Sequence, residues 1–139
     1  MARCEGRRSE ARRLGLEPGD LIVGDWTAAA GYEAAQEIVR RGTDTAVYVA
    51  SDSVALGVLR GLADAGLRVP DDVSVIGHND EPNAACFAPP LTTIHEDLDA
   101  LAELLMATVG RRLAGETSFD VPLVQPQLVV RKSTTARRG

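Results

Sequence analysis

The chain has 139 residues, 45% of them hydrophobic and 25% charged, with a formal net charge of -5. That length suits one domain or part of one, and it can bury a core without a metal or disulfide staple. The acidic balance argues against wholesale binding of nucleic acid or an acidic membrane by the chain itself. Aromatic residues make up only 4%, so the core must be Val, Leu, Ile and Ala. Cys4 and Cys86 share no motif with a histidine. A disulfide between them is the less favoured reading, and reduced thiols of a cytosolic protein are the expectation. The basic start, MARCEGRRSEARRLG, lacks an apolar signal core. No run approaches the roughly 18 apolar residues of a membrane span, and the expected location is cytoplasmic.

In chain order, residues 4–14 have helical composition, with Cys4, Ala11 and Leu14 on one side and Gly15 as the stop. EPGD is a turn, and Leu21–Gly24 (LIVG) predicts a short strand. Thr27 is placed to cap a helix whose buried face would hold Tyr32, Ala35, Ile38 and Val39, ending at Gly42. Thr45–Ala50 predicts a second strand, apolar enough to be covered on both faces. Ala55, Val58, Leu59, Leu62 and Ala63 repeat at helical spacing, and Gly66 takes the position after the cap. VSVIG, Val73–Gly77, is the third strand. The adjacent prolines of EPNAACFAPPL exclude a helix there. TTIH can be a short strand. Leu98, Leu101, Ala102, Leu105, Val109 and Leu113 mark the longest amphipathic helix, stopped by Gly115. VPLVQPQLVV is an interrupted extended segment, and residues 131–139 read as a frayed tail.

Alternating strands and helices predict a three-layer α/β/α fold with a mainly parallel sheet. Such sheets bind ligands beyond the carboxyl ends of their strands. Gly24-Asp25-Trp26, Ser51-Asp52 and His78-Asn79-Asp80 all fall at such ends.

Three kinds of chemistry fit those positions unequally. Asp25, Asp52 and Asp80 could converge for acid–base work or metal binding. Asp25 and Asp52 have a commoner role, capping the helices that follow them. No Gly-x-Ser-x-Gly elbow or Gly-Lys-Ser/Thr phosphate loop supports a hydrolase or nucleotide enzyme, and His78 and His95 lack metal-ligand spacing. A phosphorelay receiver would need an acidic pair on the first strand and a lysine late in the sheet. Here the strand ends in the single Asp25, and the only lysine is Lys132. A binder of small polar molecules fits better: Asn, Asp, Ser and Arg around an indole suit a sugar, with Trp26 stacking on the ring or else filling the core. Arg3, Arg7, Arg8, Arg12 and Arg13 form a basic set that reads as a solvated helix face in preference to a DNA-binding patch.

AVYVASDSVALGVLRGLADAGLRVPDDVSVIGHND, followed by PPLTTI and LVVRKST, resembles the C-terminal part of the LacI/GalR family of bacterial transcription regulators. GDWTAAAGYEAA and RCEG upstream match as well. The resemblance implies the C-terminal subdomain of a periplasmic-binding-protein-like type I fold. Such a domain takes a sugar or nucleobase between two subdomains and dimerises. Carried over, ligand contacts fall on Arg3, Trp26, Ser51, Asn79 and Glu96, and Asp52 caps its helix. The dimer face would use Leu56 and Leu59 with Cys86 and Phe87. The family usually has Asn at Ser51, an acidic residue at Asn79 and an aromatic at Arg7.

The resemblance further implies that residues 1–139 are the C-terminal portion of such a regulator. The helix-turn-helix that reaches DNA, its hinge and the N-terminal subdomain would be absent. The Leu98–Leu113 helix would ordinarily pack on that subdomain's sheet. Neither a catalytic residue, a metal nor a cofactor is expected. The partners implied are a sugar-like effector and a second copy of the chain.

Overall fold

A computed structural model describes residues 2–17 and 19–136, with side chains from Glu5 onward. The elements are α1 (Ala2–Arg13), α2 (Ala28–Arg41), β1 (Ala46–Tyr48), α3 (Asp52–Asp64), β2 (Ser74–Asn79), a 3-10 turn (Ala84–Cys86), β3 (Thr92–His95), α4 (Leu98–Leu113) and β4 (Gln127–Val129). They build a four-stranded sheet in the order β1-β2-β3-β4. The first three strands are parallel, with Tyr48 opposite Ile76 and Asn79 opposite His95. β4 returns antiparallel, with Ile94 opposite Leu128. The mainly parallel α/β architecture expected from the alternation is the one found.

Local chemistry sets the helix limits. The Thr27 hydroxyl accepts from the Ala30 N–H at 3.2 Å and opens α2. Gly42, at φ 66°, closes it and donates its N–H to the Ile38 carbonyl. Gly66, at φ 78°, follows α3 as expected. Asp97 caps α4, accepting from the Ala100 N–H at 2.9 Å.

α2 and α3 pack together at unusually short range. A Cβ on Gly57 would lie 1.8 Å from the Ala28 carbonyl oxygen, and one on Gly31 would lie 2.0 Å from that of Val54. The two backbones touch where only hydrogen fits. Beneath them lies the core: Ala35, Ile38, Val49, Ala55, Val58, Leu59, Leu62, Val73, Val75, Ala84, Phe87 and Leu91. It is aliphatic but for Phe87, as the low aromatic content requires.

Several expectations need correction. Leu21–Gly24 joins no ladder; it faces β1 across a cleft of about 410 Å³ lined by both segments. Its ends are tied elsewhere and hold it off. The Gly19 carbonyl accepts from Arg7 at 2.9 Å, Asp20 pairs with Arg41 at 3.4 Å, and Asp25 accepts from the Thr27 N–H. β1 is therefore an edge strand and only half covered. β2 runs two residues beyond Gly77, so His78 and Asn79 belong to the strand. α1 is solvated, with only Arg7 and Ala11 half-buried among its described side chains. Arg13 is occupied by Glu10; of the basic set, Arg8, Arg12 and Arg13 face water and Arg7 is half-buried.

The expected frayed tail is pinned over residues 131–135. The Ser133 hydroxyl donates to the Val75 carbonyl at 2.6 Å and accepts from the Thr92 N–H at 2.7 Å, with Ser133 fully buried. The Val75 N–H also donates to the Ser133 carbonyl at 2.8 Å. These bonds clamp the tail to β2 and to the start of β3 and repay the ordering of the chain. Residues 137–139 lie outside the described part. α4 has no buried residue, and Leu98, Leu105 and Leu113 face outward. It does not fold back onto the chain's own sheet.

The helix contact makes a direct prediction. Gly57→Ala should cost about 3 kcal/mol in urea unfolding, because the added methyl meets backbone that cannot move aside. Gly110→Ala, on the exposed part of α4 with nothing within 4 Å of the added Cβ, should change stability by no more than about 1 kcal/mol and in the favourable direction. Equal effects would refute the close contact.

Candidate functional site

The parallel strands direct three chain segments to one edge of the sheet. β1 delivers Tyr48 and, beyond it, Ser51; β2 delivers His78, Asn79 and Asp80; β3 delivers His95 and Glu96. Trp26 lines the same cleft as Tyr48, Val49 and Ala50. It is 68% exposed, so it does not fill the core. An indole left open at a strand end is available to stack on a ligand.

Asp52 organises the edge. It is fully buried. Its Oδ1 accepts from the Thr93 hydroxyl at 2.6 Å and its Oδ2 from the Glu81 N–H at 2.8 Å. It therefore joins the start of α3, the loop after β2 and the body of β3. This corrects the expected capping role. Ser51 is the N-cap residue of α3, and its side chain makes no capping bond. Asp52 is the acidic residue of the first turn of α3, and Glu81, from the loop after β2, brings a second carboxylate to the helix N-terminus. The Glu81 carboxylate accepts from the Ser53 hydroxyl at 2.9 Å and from the Ser53 N–H at 3.3 Å, where the helix dipole favours negative charge. Gly77 is required below: its Cβ would stand 2.1 Å from Asp52 Oδ1.

A second network holds the β2 end. Arg131 donates to Asp80 Oδ1 at 2.7 Å and to the Leu91 carbonyl at 2.9 Å. His95 Nδ1 lies 3.3 Å from Asp80 Oδ2, without hydrogen-bond geometry. Asn79 and Asp80 occupy positive φ, at 103° and 55°. Non-glycine residues seldom sit there, and Asn and Asp are among those that do. The reversal turns Asn79 outward to solvent. A third network crosses the strand ends: His78 is 2.8 Å from both the Tyr48 hydroxyl and Glu96 Oε1.

Asp25 has no partner role in an acid pair. Its Oδ1 accepts from the Thr27 hydroxyl and the Thr27 N–H, bonds that hold its carboxyl below the ordinary carboxylate range. It steadies the residue that caps α2.

Of the expected ligand residues, the structure brings Ser51, Asn79 and Glu96 to one edge, with Trp26 beside the β1 end. Ser51 is buried, Glu96 half-buried and Asn79 exposed. The Arg3 side chain lies outside the described residues. Of the expected dimer residues, Leu56 and Cys86 are exposed. Leu59 and Phe87 are core residues, 4% and 8% exposed, which support that face from beneath. Sequence reasoning missed Tyr48, Thr93, Glu81 and Arg131. Their partners are at least 28 residues away, and only strand register could have joined them.

The model of the periplasmic binding protein-like domain matches residues 2–134. This chain belongs to the LacI-type periplasmic-binding-protein-like family. The lactose operon repressor of Escherichia coli K12 is 37% identical over 140 residues, a match covering 96% of this chain and 38% of the repressor. The crystal structure of the lac repressor dimer bound to operator and the anti-inducer ONPF superposes with a TM-score of 0.89 at 33% identity. It covers 96% of this chain and 47% of that one. The complex of the transcriptional regulator CelR with cellobiose gives a TM-score of 0.82 at 34% identity, over 94% of this chain and 41% of the other. The LacI-type chain described here thus spans about two-fifths of the curated repressor's length.

Proposed function

We propose that this chain is the effector-sensing and dimerising part of a LacI-type transcription regulator, and that its effector is a small neutral polyhydroxy molecule such as a sugar. The observation that carries the reading is the set Trp26, Ser51, Asn79 and Glu96 at the carboxyl edge of a LacI-type sheet. An exposed indole offers a stacking face. The Ser, Asn and Glu side chains offer donors and acceptors for vicinal hydroxyls. The relatives are transcription regulators, and the chain is read as a binding module without turnover. DNA contact falls to a helix-turn-helix elsewhere in such a regulator. Among the described residues no helix is long and apolar enough to cross a membrane, and the cytoplasm is the compartment this reading assigns.

In this family a ligand is held from two subdomains, and this edge supplies one wall. Each hydrogen bond to a polar ligand contributes on the order of 1 kcal/mol, so a site with half its bonds should bind with about millimolar dissociation constants at best. Calorimetry with cellobiose, ribose and inorganic phosphate should give millimolar binding of at least one sugar. A micromolar constant would mean that one wall is a complete site, and no binding of any sugar would count against the effector class.

The outward apolar residues of α4 support association. Leaving Leu98, Leu105 and Leu113 in water forgoes roughly 1.5–3 kcal/mol each, and a stripe of that kind marks an interaction surface. Light scattering at micromolar concentration should give the mass of a dimer or larger species. A clean monomer would defeat the dimer assignment.

A further inference from the structure

His78 is the only described residue whose side chain joins the ends of two neighbouring elements at this edge through both ring nitrogens. It is 5% exposed. Nδ1 is 2.8 Å from the Tyr48 hydroxyl and Nε2 is 2.8 Å from Glu96 Oε1. The Tyr48 and His78 rings meet edge to face at an interplanar angle of 81°, which fixes the imidazole plane. We infer that His78 is a positioning residue that holds the Glu96 carboxylate in the effector site through a single proton order running from Tyr48 to Glu96.

For a neutral imidazole the order follows from donor and acceptor chemistry. An ionised carboxylate can only accept, so Nε2 must carry the proton that faces Glu96. A neutral imidazole with its proton on Nε2 has an acceptor at Nδ1. Tyr48 must then donate its hydroxyl hydrogen to that nitrogen. Each group settles the next, and the half-buried Glu96 side chain gains a fixed donor from a packed strand residue in addition to its other interactions. Such outer partners commonly set the geometry of the groups that touch a ligand. A carboxylate fixed in this way offers acceptors alone. It favours a hydroxyl or amine on the ligand and repels a phosphate or carboxylate. Glutamine at position 78 could copy the bridge, with its amide N–H facing Glu96 and its carbonyl facing Tyr48. Phenylalanine could fill the space but not make either bond.

The inference rests on the proposed effector role of Glu96, and its test separates the two. Ring nitrogen NMR of the ligand-free chain at pH 8 should show the proton of His78 on Nε2. The Glu96 side chain should be better ordered in the wild type and His78→Gln than in His78→Phe. The Nδ1–H tautomer, or a Glu96 equally ordered in His78→Phe, would overturn the inference; the wild-type ring spectrum decides it even if that variant misfolds. With glucose as probe, His78→Phe should weaken binding about fivefold, the equivalent of one hydrogen bond, and His78→Gln should restore it. Unchanged glucose binding in a folded His78→Phe would also overturn it. A wild type that binds no glucose at any concentration would count against the sugar reading, while the ring and rotamer data would still decide the role of His78.

Discussion

The buried carboxylate of Asp52 is the constraint on which the carboxyl edge depends. A charge-bearing group inside a protein is tolerated only when its oxygens are hydrogen-bonded. Here the two partners come from chain segments 29 and 41 residues away, the Glu81 N–H and the Thr93 hydroxyl. Satisfying Asp52 therefore places the loop after β2 and the body of β3 against the start of α3. The missing side chain at Gly77 makes the room. Apart from Trp26, what the site offers is attached to one of those three segments: Ser51 precedes Asp52, Asn79 precedes the Glu81 contact, and Glu96 follows β3.

The remaining polar networks are arranged around that anchor. Arg131 brings the chain's last described stretch to Asp80 and to the carbonyl of Leu91, so a segment remote in sequence braces the β2 end. Ser133 does the same for the opposite end of the strand through Val75. His78 ties the β1 end to Glu96. Bonds to charged groups contribute more than neutral ones, and several here lie out of bulk water. The site is therefore rigid at its base and open at its rim, where Trp26 and Asn79 reach solvent. That combination suits the proposed role of holding a small polar ligand.

Much of the fold was legible because it is written locally. Thr27 and Gly42 bound α2, Gly66 follows α3, and the apolar spacing of Ala55, Val58, Leu59 and Leu62 marks the face that packs on the sheet. LIVG had the composition of a strand, but pairing is a property of two segments, and its flanks are held by Arg7, Arg41 and Thr27. α4 shows the same limit in reverse: the stripe is present in the sequence, yet nothing among the described residues covers it. The tail read as frayed because Arg131 and Ser133 look like surface residues until β2 and β3 lie beside them. Of the residues carried over by resemblance, Ser51, Asn79 and Glu96 lie together at one edge of the sheet, with Trp26 beside the β1 end. The groups that orient them, Thr93, Glu81, Tyr48 and Arg131, gave no local sign, since each acts across the sheet.

The most direct test of this account is the stability and amide exchange of Asp52→Ala. Removing the carboxylate leaves a buried hydroxyl and a buried N–H without acceptors and opens a small void. The expected cost in urea unfolding is about 3 kcal/mol. Exchange should quicken selectively at Ser53 and Glu81, while the α2–α3 contact stays protected. A variant within about 0.5 kcal/mol of the wild type, with unchanged exchange at those amides, would show that the carboxyl edge is held by something other than Asp52.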